Sequence, residues 1–159
     1  MKRLFARIAA VVYILWGVAH VAGGGLMLAA ALQGADPFLQ AQTGIPGLQL
    51  ESASSVGTAS TAAARVFAFH SFNLIWLGVF TIVIAAAMNW NNSSIGFWLN
   101  MVLVGCTDLG LALFLVIPGL MAVEDAWIGP VLFVIALAFS ALARFQVRAP
   151  DRVTEAVSG

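Results

Sequence analysis

Two histidines, one aspartate and a few amides stand inside runs of sequence that are otherwise apolar, and these are the residues with chemistry to offer. His20, His70, Asp108, Asn73 and Asn100 carry hydrogen-bonding atoms into segments where hydrocarbon side chains would serve. An ionisable group in the middle of a spanning helix costs free energy, about 2.5 to 3.5 kcal/mol for Asp, so it normally faces a bundle interior or a water-filled cavity. Imidazole and carboxylate together can exchange protons or hold a cation. The stretch R-V-F-A-F-H-S-F-N-L-I-W, Arg65 to Trp76, gathers Arg65, His70 and Asn73 at the head of one of the most apolar runs in the chain.

The elements that must position these groups follow from composition. Of the 159 residues 62% are hydrophobic and 9% charged, against roughly 25% charged in a soluble domain. The expectation is an all-α integral membrane four-helix bundle. Its spans cover about 8–32, 64–88, 95–117 and 127–143, within a single transmembrane domain over 1–159 that carries an outer loop at 33–63. Each run approaches or exceeds the roughly 20 residues needed to cross hydrocarbon, where backbone amides must bond internally and helices do so. The amino terminus M-K-R-L-F-A-R imitates a signal peptide. The apolar run behind it is too long for an h-region, so it is read as a span.

Local signals mark the ends. Asp36-Pro37 predicts a short surface helix over 38–42, Ser93 or Ser94 caps the third span, and Pro118-Gly119 stops it. Lys2, Arg3, Arg7, Arg144, Arg148 and Arg152 fall on one side of the predicted bundle and Arg65 on the other. That split predicts both termini in the cytoplasm and the long loop outside, in a bacterial cytoplasmic membrane. Trp90 and Trp127 stand at opposite faces, where interfacial belts form. Cys106 lies inside the third run, cannot form a disulfide within the chain, and reads as core packing.

Helical periodicity indicates which groups look the same way. On the second span it aligns His70, Asn73, Leu77 and Thr81; on the first, Tyr13, Trp16, Gly17, His20, Gly23, Gly24 and Met27; on the third, Met101, Gly105, Asp108 and Ala112, with Asn100 off that line. A rise of ~1.5 Å per residue puts His20 and Asp108 at similar depth, about 15 to 18 Å below the outer ends of their spans, and His70 and Asn73 about 7.5 and 12 Å below Arg65. The four residues His20, Asp108, His70 and Asn73 are thus predicted to form a polar ladder, a ligand-binding or proton-linked cleft opening outward. His20 and Asp108 are expected to touch or share a water at its base.

These positions bear on several chemistries. Haem between His20 and His70 conflicts with their predicted offset of about 10 Å along the membrane normal. A metal held by His20, His70 and Asp108 suits the ligand types. The second-span pattern departs from that of the membrane-associated eicosanoid and glutathione metabolism family, because Phe69 precedes His70, Asn73 follows it by three residues, and Trp76 stands where an acidic residue belongs. No nucleophile elbow, phosphate loop or zinc motif occurs, and no cofactor is indicated. With its four spans, small size and the glycine-rich first helix of Gly17, Gly23, Gly24 and Gly25, the chain resembles the DoxX-like group of small bacterial membrane proteins in architecture.

The partners this reading implies are the lipid bilayer, a small-molecule or ion ligand, and a homo-oligomer or larger membrane complex. The absence of net charge gives nucleic acid no basic face. Two function classes emerge: a small-ligand or proton-linked protein using the cleft, and a non-enzymatic accessory or scaffold subunit docked through its lipid-facing helices.

Overall fold

A computed structural model describes residues 1–33, 59–119 and 121–145. Among these residues all regular structure is helical, and four helices are long and apolar enough to cross a membrane. We number them α1 (Lys2–Gln33), α2 (Ala59–Ala87), α3 (Ser94–Leu111) and α5 (Ile128–Phe145), with α4 (Val123–Ala126) a single turn before α5. The four helices cover the four apolar runs, but α1 and α2 begin earlier than predicted. The N-terminal cations on Lys2, Arg3 and Arg7 are therefore part of the first helix, and the helix preceding Arg65 takes up five residues assigned to the loop. The surface helix expected over 38–42, with most of the outer loop, and Arg148 and Arg152 lie outside the described residues.

Small residues at a spacing of seven dictate how α1 meets α2. Ala10, Gly17, Gly24 and Ala31 are all buried along α1, and Ser71, Gly78 and Ala85 along α2. A side chain at Gly17 would put its Cβ 2.7 Å from the Gly78 carbonyl oxygen, and one at Gly78 would come 2.6 Å from the Gly17 carbonyl. At Gly24 the same atom would lie 2.9 Å from the Ser71 carbonyl oxygen. The two backbones therefore touch in an antiparallel register that only small residues permit, which is how helices associate where lipid removes the hydrophobic incentive. A repeat of seven is the spacing that keeps such a seam along one side of each helix.

The ring closes through α5, which packs on α1, and α3, which contacts both α2 and α5. Tyr13, Trp16, Ala85, Val104 and Ala136 form the core where the helices converge. At one end Asn89–Asn91 make a 3-10 turn between α2 and α3, ended by Asn92 in the left-handed conformation (φ 55°). Ser93 caps α3 by accepting from the Gly96 amide at 3.4 Å. The same end holds Arg7 over the Trp90 ring (5.5 Å) and Arg144 over Phe97 (5.7 Å), so described cations from both the first and last helices gather there. At the other end α3 widens into a π-helical turn, Ala112–Val116, and Gly119 with φ 75° lets the chain reverse toward α4.

Two expectations are corrected. The inward face of α2 is Ser71, Gly78, Thr81 and Ala85, not the stripe running through His70 and Asn73, because α2 turns its small residues toward α1 and leaves His70 exposed. Cys106 is exposed on α3 and is not core packing.

Candidate functional site

Asp108 lies in the fourth turn of α3 and is 6% exposed. Its Oδ1 accepts a hydrogen bond from the indole Nε1 of Trp16 at 3.3 Å, joining α1 to α3 across 92 residues of sequence. Trp16 is fully buried, and its ring stacks on the imidazole of His20 one turn further along α1, with centroids 3.6 Å apart and planes 20° from parallel. The i, i+4 spacing on one helix makes that stack a local consequence of sequence.

His20 is held by its own backbone. Its Nδ1 lies 2.9 Å from the Trp16 carbonyl oxygen, and a carbonyl can only accept, so Nδ1 carries the hydrogen. In the neutral ring Nε2 is then a bare acceptor. The third wall is Gly129 in the first turn of α5. A Cβ there would sit 3.1 Å from Asp108 Oδ1, 3.5 Å from Trp16 Nε1 and 3.6 Å from His20 Cε1. Glycine is what lets the start of α5 close against all three side chains. Pro130 beside it is accommodated because the first turn has no intrahelical amide bond to lose.

One atom of this cluster is left over. Asp108 Oδ2 is buried and has no hydrogen-bond partner among the described residues. A buried polar group is normally satisfied, and a buried carboxylate needs a compensating charge or donor. The cluster thus offers two acceptors, Asp108 Oδ2 and His20 Nε2, while its two donors, Trp16 Nε1 and His20 Nδ1, are already engaged. What complements it is a proton, a small cation, or a ligand that donates hydrogen bonds.

No protein-family model matches the chain, nor does any curated protein or solved structure. The resemblance to DoxX-like proteins is accordingly one of helix number and size, and the chemistry rests on the geometry alone.

The predicted site residues divide. His20 and Asp108 share one cluster, linked through Trp16, which stacks on the first and bonds the second; no hydrogen bond joins them directly. His70 is exposed on α2, so it forms neither an axial pair nor a metal triad with His20. Among the described residues no three His, Cys, Asp or Glu side chains gather to hold a metal ion. Asn73 accepts from Trp76 Nε1 at 2.9 Å on the outer side of α2. The ladder is replaced by a compact cluster and a separate polar patch. Sequence reasoning assigned Trp16 to the inward face without a role and passed over Gly129. A tryptophan one turn before a histidine at the depth of Asp108 was the available signal for the first; a glycine at the head of an apolar run gave none for the second.

Depth is revised as well. At ~1.5 Å per residue, His20 is about 20 Å from Arg7, Asp108 about 21 Å from Ser94, and Gly129 about 22 Å from Arg144. Three helices agree that the cluster sits roughly two-thirds of the way from the basic end. There α5 begins, while α1 and α3 continue past it.

Proposed function

We propose that this protein is an integral membrane four-helix bundle that binds a proton or a small cationic or hydrogen-bond-donating ligand at Asp108 and His20, through a polar site open toward the outer face. The observation that carries this reading is the buried Oδ2 of Asp108, which has no partner among the described residues, in a cluster that His20 shares. A carboxylate kept only to tie helices together would have both oxygens engaged, because a half-satisfied buried acid weakens the fold it is meant to join. The cations collected at one end support a cytoplasmic position for both termini, and the resemblance in architecture supports a bacterial cytoplasmic membrane. In a hydrocarbon core of about 30 Å, the cluster then lies in the outer third.

Thermal melting in detergent from about pH 5 to 8, where an unperturbed histidine changes charge, tests the proposal. The parent is expected to melt at a pH-dependent temperature, Asp108→Asn to lose most of that dependence, and His20→Gln to alter its midpoint. The same slope in all three proteins would reduce the cluster to helix glue. An accessory or scaffold role predicts instead co-purification with a larger complex that survives both substitutions.

A further inference from the structure

The stretch from Arg65 to Trp76 is not used by the site. Its helix has two distinct faces. One carries Ser71, Gly78 and Ala85 into α1. The opposite face carries Val66, Phe69, Asn73, Trp76, Phe80 and Val83, at alternating spacings of three and four, the a and d pattern of a helix seam with a repeat of seven. The apolar members of this row are exposed, from 43% for Trp76 to 67% for Val66 and Phe69.

Exposed apolar residues are ordinary on a lipid-facing helix. An amide at the centre of the row is not. Asn73 lies about 21 Å from the Ala87 end of α2, within the ~30 Å of hydrocarbon. Its Oδ1 is used by Trp76 Nε1, and its Nδ2 donates to none of the described residues. His70 flanks it on the same outer side, also exposed. A donor left in lipid costs free energy that a hydrogen bond across a helix pair recovers.

We propose that a second copy of this chain covers this face, through a parallel α2–α2 pair joined at Asn73. The inference rests on the membrane reading above. Two copies inserted with the same topology meet only in parallel, so a two-fold axis along the membrane normal sets each residue of the row opposite its own copy. An amide has both a donor and an acceptor and is complementary to itself. A polar residue at one a position in an otherwise apolar seam also fixes register and limits the assembly to a defined pairing. The segment 34–58, outside the described residues, is the other candidate cover, and a cross-link from the row to that segment distinguishes it.

The test is disulfide trapping of the full-length protein in its membranes, in a Cys106→Ser background. Single cysteines replace Val66, Phe69, Phe80 or Val83 on the row, and Val102 or Leu109 on the exposed side of α3. Dimers are expected from the four row positions and not from the α3 positions. In the Val66 and Val83 variants, which keep the aromatic residues intact, adding Asn73→Ala should weaken association on the order of tenfold while Asn73→Gln retains it. Equal trapping at α3, indifference to Asn73→Ala, or a cross-link from the row to a cysteine placed in 34–58 would overturn the proposal. Carbonate extraction separates the two readings: protein released from the membrane defeats both, whereas retained protein without row-specific dimers defeats only the pairing.

Discussion

Two of the polar clusters buried among the described residues are built on opposite plans. At the basic end the amides of Asn89 and Asn100 face each other at 3.2 Å, both nearly inaccessible. With both amides turned, Asn89 Nδ2 donates instead to the carbonyl oxygens of Ile84 and Gly96 and to the Asn100 side-chain oxygen, each at 3.2 Å. This cluster is neutral, draws on 17 consecutive residues from Ile84 to Asn100, and is closed by the main chain of the turn it stabilises. The cluster of Trp16, His20, Asp108 and Gly129 draws instead on three helices far apart in sequence, contains an acid, and keeps one edge half-exposed at His20. With the amides unturned, each cluster leaves one buried oxygen without a partner among the described residues, Asn100 Oδ1 in the first and Asp108 Oδ2 in the second, but the first is neutral and sealed by its turn and fits the role of a lock. An ionisable acid with an open edge has the features of a site.

The largest change should come from disturbing the lock. Gly96 passes so close to the preceding turn that a Cβ would meet Met88 Cβ at 2.6 Å and the Asn89 amide nitrogen at 3.1 Å. Gly96→Val is expected to cost about 3 kcal/mol through overpacking, seen in denaturant titration of the purified protein. Asn89→Ala removes the donor shared by two carbonyls and strands Asn100, for about 2 kcal/mol. Both losses should be independent of pH, since nothing in that cluster titrates between pH 5 and 8. A pH-dependent loss in either variant would erase the distinction between the clusters.

Smaller effects are expected at the acid cluster. Trp16→Phe keeps a ring against His20 but withdraws the one hydrogen bond to Asp108, for about 1.5 to 2 kcal/mol. Unlike the turn variants it should change the pH profile of melting, because the carboxyl loses its only donor among the described residues. Gly129→Ala is the mildest and the most discriminating. Alanine favours helix over glycine by up to about 1 kcal/mol, and this gain is offset by the crowding of a methyl 3.1 Å from Asp108 Oδ1. Stability should move by less than about 0.5 kcal/mol, while the pH dependence of melting shifts. A stability change without any pH effect would indicate packing alone.

The amino-acid sequence by itself determined that the chain forms four long apolar helices, roughly where they begin and end, the serine cap at Ser93 and the gathering of cations at one end. Hydropathy, caps and charge are properties of single residues and their near neighbours, and they survive without knowledge of the fold. Periodicity also gave the inward face of α1, because Trp16, Gly17 and His20 stand against a clearly different opposite side.

The orientation of α2 was decided only in the tertiary structure. That helix is apolar all round, so its pattern permits either face to turn inward, and polarity alone selects the side with His70 and Asn73. The tie is broken by shape: backbones approach within contact only along Gly78 and Ser71, opposite Gly17 and Gly24. The same limit applies to the acid cluster. Helical spacing fixes the angle between Asp108 and its own neighbours on α3, but not which side chain of α1 or which turn of α5 will meet it. The encounter of Asp108 with Trp16 and Gly129 depends on how three helices cross, and that is set by the volumes packed between them.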